Sequence, residues 1–408
     1  MVPWLLTLTL LLMVRAGLAD PPRCPPEAAE RCALDLSGGG EYRFTVDGMY
    51  LLIEYADDRY FSLMCLTKNL TLDNSAMPRF ESQLRVSKVL LRDCPAPRGS
   101  YGAVLQHLNV FVKEQLTLVR TGNLTSAHLA ELASVNVLQF IDVELAPRTL
   151  AALTGLRKLS LDNVRLPPGE LRQLPSSLEY LALTRVGADV THDMLERLPK
   201  LVKVYLRDGS NVSVALGGAL RELALELPAA RVPSELSPEL RDLIVYGWAE
   251  PWPAPWTSCA LDRLVLSNVM ANELPAFWVN DCEDLRVLIV QGGPQLRLVH
   301  ATSLRGARRL QELHLTSCAL TALPIGLLDD AVELRVLNLS RNFIKALPSG
   351  LFLHTNSLQV LDLSKNQLSN DVYTSLKAMT SLRTLRFDQN NQNESSPALN
   401  SSMPLIAT

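Results

Sequence analysis

The stretch LRVLNLSRNFIKAL at positions 334–347 is followed, 24 residues on, by LQVLDLSKNQLSND. Both fit the phrase L-x-x-L-x-L-x-x-N-x-L. Leu334, Leu337, Leu339, Asn342 and Ile344 fill the fixed positions of the first copy, and Leu358, Leu361, Leu363, Asn366 and Leu368 those of the second. Such a unit is a short strand with alternating apolar residues, a turn and a return stretch. It cannot bury its apolar face alone, so copies must stack into a solenoid. The asparagine belongs at the turn, where its side chain can bond backbone groups that the turn leaves unpaired. A small residue such as Cys also fits there.

Tracing the frame places phrase starts at Val86, Lys113, Val135, Leu156, Leu178, Leu201, Leu220, Leu240, Leu261, Leu285, Leu310, Leu334, Leu358 and Leu382. The later copies step by 24 or 25 residues. Between Val135 and Leu261 the step shrinks to 19–23, and the asparagine slot holds Val164, Val186, Gly209, Trp248 or, one copy on, Val269. That predicts a less regular coil in the middle of the chain. The expected fold class is an α/β solenoid: a curved leucine-rich repeat horseshoe with a parallel β-sheet on the concave face and an N-terminal disulfide cap. The chain divides into a signal peptide (1–19), a cysteine-containing cap (20–85), about fourteen repeats (86–390) and a polar tail (391–408).

The leader reading rests on an apolar core from Leu5 to Val14, followed by Gly17-Leu18-Ala19, small residues at the positions a signal peptidase reads. No later window offers the ~18–20 continuous apolar residues of a transmembrane helix. The mature chain as written is therefore expected to be extracellular. A net charge of −3 and the lack of any basic run argue against nucleic acid or an anionic membrane as partner.

Seven cysteines are an odd number for an oxidising compartment. Cys24, Cys32 and Cys65 precede the first repeat, and Cys94 fills the asparagine slot of the Val86 copy. Pairing among them would close a cap over the first rung, with Cys24–Cys32 and Cys65–Cys94 favoured among the possible pairings. Cys259 and Cys282 lie just ahead of Leu261 and Leu285, at almost the same angular position on successive rungs. Strands ~4.8 Å apart bring such a pair within disulfide range. Cys318 is left over in the asparagine slot of LQELHLTSCAL and reads as a small buried residue.

Glycosylation sequons occur at Asn69, Asn123, Asn211, Asn338, Asn393 and Asn400. Asn338 is the exposed x of L-x-L, so a glycan there would obstruct docking on that rung. The segment YGWAEPWPAPWTS (246–258) carries three tryptophans and three prolines. Trp248 falls in the asparagine slot and should be core. Trp252 and Trp256 either form an outward patch or cover the core beneath extended backbone; the second is the plainer reading. Catalytic signatures are lacking: no H-E-x-x-H, no G-x-S-x-G, and SGGG (37–40) has no lysine for a phosphate. No enzyme, cofactor or metal site is expected.

The order of the early segments is more specific. YRFTVDGMYLLIEYADDRYFSLMC leads to KVLLRDCPAP, then QLTLVRTGNLTSAHLAEL, then VNVLQF. This order resembles the amino-terminal part of insect-type Toll receptor ectodomains. The resemblance implies an innate-immune or developmental receptor that binds an extracellular cystine-knot cytokine, Spätzle, on the concave side, with a possible ligand-induced dimer. Carried onto this chain, the candidate contact residues are the strand-face positions Glu179, Tyr180, Lys203, Tyr205, Arg207, Arg221, Glu222, Arg241 and Tyr246; Tyr and Arg are the types that most often anchor interfaces. The family's further repeats, transmembrane helix and TIR domain are not in these residues, so a truncated receptor is expected, cell-surface in its full form. A secreted leucine-rich repeat scaffold or decoy is the alternative, against which the lack of heptads after Leu382 counts.

Overall fold

The computed structural model describes residues 20–391, apart from 39–40, 57, 68–69, 74, 133, 210–217, 227–235, 249–255, 257–258, 370–371, 373–375 and 377–378. The leader, Asn69, Asn211, Trp252, Asn393, Asn400 and all but the first residue of the tail lie outside the described residues. Two compact units divide the chain, one through Ala188 and one from Asp189.

In the first unit, β1 (Cys32–Gly38), β2 (Glu41–Val46), β3 (Met49–Ala56) and β4 (Asp58–Cys65) form an antiparallel meander. Alternation puts Phe44, Val46, Leu51, Ile53, Phe61 and Leu63 on its fully buried face. β5 (Leu84–Arg92), β6 (Val110–Val119), β7 (Asn123–Leu124), β8 (Val137–Ile141), β9 (Glu144–Leu145), β10 (Lys158–Asp162) and β11 (Tyr180–Thr184) follow. β4 pairs with β5 in parallel, and the same sense continues through β6, β8, β10 and β11. The meander is thus the cap that lets a parallel stack begin. Disulfides Cys24–Cys32 and Cys65–Cys94, with Cα separations of 5.6 and 5.0 Å, pin it.

The second unit stacks β12 (Lys203–Arg207), β13 (Glu222–Glu226), β14 (Asp242–Tyr246) and β15 (Arg263–Ser267), then β16 (Glu273–Leu274), β17 (Val287–Gln291), β18 (Leu298–Val299), β19 (Glu312–Thr316), β20 (Val336–Asn338), β21 (Val360–Asp362) and β22 (Thr384–Arg386). All are parallel and in register, with β16 and β18 paired separately. Val336 lies opposite Val360, as two copies of one phrase should. The phrase leucines Leu334, Leu337, Leu339, Leu358, Leu361 and Leu363 are at most 1% exposed. Truncating one of them to alanine in such packing costs about 2–5 kcal/mol.

The asparagine slot works as its chemistry suggests. Asn366 Nδ2 donates to Leu363 O in its own rung (3.1 Å) and to Leu339 O in the preceding one (2.9 Å), while its Oδ1 accepts from Ile344 N (3.1 Å). Asn342 and Asn390 repeat the pattern one rung either side. Cys318 substitutes its buried thiol, 3.3 Å from Thr316 O. Val164, Trp248 and Val269 fill the slot with apolar bulk and are at most 2% exposed. The strands of the middle rungs are no shorter for it, while much of their return stretches lies outside the described residues. Strands β10–β15 have five residues each, against three in β20–β22. The alternating leucines and the ladder bonds build the strand, and neither depends on the slot.

A second regularity lies outside the phrase. The chain leaves most strands through a residue with positive φ: Asp93 (58°), Arg120 (50°), Asp142 (54°), Asn163 (52°) and Arg185 (53°) in the first unit, and Asp208, Gly247, Asn268, Gly292, Ser317, Arg341, Lys365 and Gln389 in the second. Left-handed backbone lets the N–H at this position make one more bond to the neighbouring rung, as in Arg120 N to Ile141 O at 2.9 Å, before the chain turns onto the flank.

Two outcomes test this description. Replacing Asn366 with Leu leaves the Ile344 N–H unpaired and takes one of two side-chain donors from Leu339 O and Leu363 O, which keep Asn342 and Asn390, and should lower unfolding free energy by about 1–3 kcal/mol in chemical denaturation; unchanged stability would mean another acceptor reaches the Ile344 N–H. Burial pushes the Cys318 thiol up to about 11. Only the thiolate alkylates, so native protein near neutral pH should resist labelling at Cys318 and denatured protein should not.

Candidate functional site

Register turns the outward residues of the second unit into three columns. The first runs Lys203, Glu222, Asp242, Arg263, Val287; the second runs Tyr205, Ala224, Ile244, Val265, Ile289, His314, Asn338; the third runs Arg207, Glu226, Tyr246, Ser267, Gln291. Their neighbours Val204, Leu206, Leu223, Leu225, Leu243 and Val245 point into the core and are at most 1% exposed. Period-two alternation therefore assigns the face, with Val265 and Ser267 of β15 the outward members that are themselves buried.

Of the nine candidate contact residues, the structure gathers Lys203, Tyr205, Arg207, Glu222 and Tyr246 onto one patch of this face. Lys203 is ion-paired with Glu222. The Tyr205 hydroxyl donates to Glu226 Oε2 at 2.6 Å, and Arg207 Nε lies 3.5 Å from Glu226 Oε1. Glu226 thus ties together the phenol and the guanidinium, with Tyr246, 39% exposed, opposite it on the next strand. Desolvation, then the bond to Glu226, pushes the Tyr205 phenol up to about 12. Asp242 is also raised, first by burial and then by Glu222 beside it, with Arg263 and Lys203 opposing.

The other candidates sit elsewhere. Tyr180 is half-buried on β11 of the first unit. Glu179, Arg221 and Arg241 precede their strands by one residue rather than lying on the strand face, which corrects the sequence reading. The cause is a bend: the N–H groups of Arg221 and Glu222 both reach Val202 O, and those of Glu179 and Tyr180 both reach Arg157 O. Glu179 accepts a two-pronged bond from Arg157 (2.8 and 2.9 Å). Arg241 turns its guanidinium onto the carbonyls of Pro238 and Ala260 (2.9 and 3.0 Å).

Sequence reasoning passed over Glu226, Ile244 and Ile289. The x of Leu225-Glu226 was legible as an outward position, but a preference for Tyr and Arg at interfaces drew attention away from the carboxylate that orders them. Trp256 is buried at 1% exposure with its ring 6.3 Å from that of Trp278, so it covers the core as the plainer reading expected. Cys259–Cys282 is a disulfide with a Cα separation of 4.6 Å. Among the described residues no cluster of three or more His, Cys, Asp or Glu could hold a metal, and no helix is long and apolar enough to cross a membrane. What the patch offers is recognition chemistry: an aromatic and apolar centre with fixed charges around it.

Parallel rungs, leucine core and asparagine ladder make the chain a leucine-rich repeat solenoid, and the sequence pattern of the leucine rich repeat matches residues 332–391. In fold it is similar to a chain of the Drosophila Toll–Spatzle complex, with TM-score 0.62 and 18% identity over 91% of this chain and 56% of that one. The glycosylated form of that complex gives TM-score 0.59 and 17% identity over 93% and 56%. A leucine-rich repeat protein of Leptospira interrogans gives TM-score 0.50 and 20% identity over 76% and 86%. The chain spans a little over half the length of the matched Toll-complex chains. No curated protein matches it in sequence.

The Tyr205–Glu226 bond predicts a titration. The neutral phenol is the favoured form in the fold, so its contribution to stability is complete below the ordinary tyrosine value of about 10 and is lost as pH rises through about 12. In a difference titration against Tyr205→Phe, Glu226→Gln should lower the Tyr205 transition; an unmoved transition would mean Glu226 does not hold the phenol.

Proposed function

We propose that this chain is the extracellular, ligand-binding leucine-rich repeat region of a Toll-like receptor, and that it takes a protein ligand on the outward sheet face around Tyr205, Arg207, Glu226 and Tyr246. The observation that carries the reading is the ordering of Tyr205 and Arg207 by one carboxylate. Immobilising a rotamer-rich side chain on binding costs about 0.5–1.5 kcal/mol, a cost already met where partners in the same protein hold it. The likeness to Toll over nine-tenths of the chain supports a receptor, and the disulfides Cys24–Cys32, Cys65–Cys94 and Cys259–Cys282 support an oxidising, extracellular setting.

The ligand class we favour is a dimeric cystine-knot cytokine of the Spätzle type. The face mixes charges, with Lys203 and Arg263 against Glu222 and Asp242, which suits a complementary protein surface better than a polyanion. A glycan on Asn338, which is half-buried in the middle column, would confine docking to the rungs before β20. The function is binding, and catalysis has no part in it.

The test is titration of the secreted protein with Spätzle-like ligands, for wild type and for Tyr205→Ala combined with Arg207→Ala. Truncating two anchors at the centre of an interface should weaken binding by about 2 kcal/mol or more, roughly thirtyfold. Equal binding would move the site; no binding by any such ligand to folded protein would remove the receptor reading.

A further inference from the structure

On the first unit, a surface groove of about 680 Å³ lies against the Cys65–Cys94 disulfide, and Asn123 forms part of its wall. The wall is shaped by the chain's exit from β6: Arg120 (φ 50°) and Gly122 (φ 84°) both take left-handed backbone, so the chain reverses and presents Asn123 at the start of the two-residue strand β7. Asn123 is exposed, and its backbone register opposite Glu144 of β9 fixes where its side chain starts. Leu66, 45% exposed, and half-buried Pro95 give the groove an apolar side. Asp93 and Arg120, joined by a two-pronged bond of 2.5 and 2.8 Å, give it a polar side. One apolar side and one side of ordered donors and acceptors is the lining that a sugar ring needs, since its C–H face is apolar and its edge carries hydroxyls.

We propose that the groove is the seat of the chain's own glycan: Asn123, in the sequon Asn123-Leu124-Thr125, carries an N-linked oligosaccharide whose first N-acetylglucosamine packs against Leu66 and Pro95, beside the buried Cys65–Cys94 bridge. In the transfer, Asn123 Nδ2 bonds to C1 of the sugar as the C1–O bond to a polyisoprenyl pyrophosphate donor breaks; the pyrophosphate leaves and the amide loses one proton. The attachment needs no reach, because the acceptor residue is itself groove wall. Asn338, the other sequon among the described residues, differs. Its Oδ1 accepts from Ser340 N at 3.0 Å and it lies half-buried on the open sheet face. The glycan's function is then local: it shields the apolar side of a groove beside a bridge whose cysteines the protein itself buries.

The proposal rests on the extracellular reading, and its test separates the two. The full chain is expressed in secreting cells that make only high-mannose glycans, mapped by glycopeptide mass spectrometry, and trimmed to a single N-acetylglucosamine per site. Amide exchange is then followed in peptides spanning 61–67 and 93–99. Thr125→Ala, which removes the sequon, should speed exchange there about threefold, while Thr125→Ser, which keeps it, should not. Thr71→Ala, which removes the Asn69 sequon, should also leave the rate unchanged; a change there in place of Thr125→Ala would assign the groove to another glycan and overturn the proposal. Equal rates in wild type and Thr125→Ala with Asn123 occupied would overturn it too. A secreted chain glycosylated elsewhere but bare at Asn123 overturns the proposal alone, and a chain bare at every sequon overturns the extracellular reading with it.

Discussion

A carboxamide shared between two rungs is the contact on which the regular part of this solenoid depends. Each turn of a parallel stack leaves carbonyls facing inward with no strand to pair them, and a buried unpaired carbonyl costs about as much as a hydrogen bond returns. Asn342, Asn366 and Asn390 solve this by donating within their own rung and back to the preceding one, so each rung is completed by the next. Where the slot holds Val164, Trp248 or Val269, apolar packing takes over, and side-chain bonds between rungs also form on the flank, away from the slot. Thr149 Oγ1 reaches Leu124 O, and Ser303 Oγ reaches Leu274 O, each across one rung. The stack tolerates either solution because the strand itself is secured separately, by leucines and by the ladder.

The same separation leaves the outward face free to carry function. Nothing in the core specifies Tyr205, Arg207 or Tyr246, so these positions are free to serve the binding proposed for the face. The bond from Tyr205 to Glu226 spans adjacent strands, and the register places Tyr246 on the next one. A patch built this way takes its spacing from the ~4.8 Å strand separation and its rigidity from the parallel sheet beneath.

Most of the fold was legible because it is periodic. The leucine frame predicts the strands of the main sheet from β5 onward, though not the short flank pairs β7–β9 and β16–β18, and the cysteine positions around that frame point to the bridges that form. What was not legible is aperiodic or depends on contacts remote in the chain. Glu170 reads as a surface residue in PPGELRQL, yet it is 3% exposed and its carboxylate accepts from Arg148 N and Leu150 N at 2.8 and 2.7 Å in the preceding rung. The bend ahead of each strand is invisible in the phrase, which is why Glu179, Arg221 and Arg241 were placed on the strand face. The antiparallel meander has no repeat to betray it. On the face itself alternation assigns the outward positions, while the pairing of Tyr205 with Glu226 needed the register between copies of unequal length.

The Cys259–Cys282 bridge has a mechanical meaning. In a one-dimensional array each rung is held by its neighbours alone, so loss of order travels rung by rung. The bridge ties two positions 23 residues apart on successive rungs and closes one full coil into a covalent ring. Tension applied through the asparagine rungs would peel them one at a time, and the ring would stop the peeling before it reached the strands that carry Tyr205 and Tyr246. The staple therefore works as a rip-stop, letting one stretch of the coil yield under load while the patch before it keeps its shape.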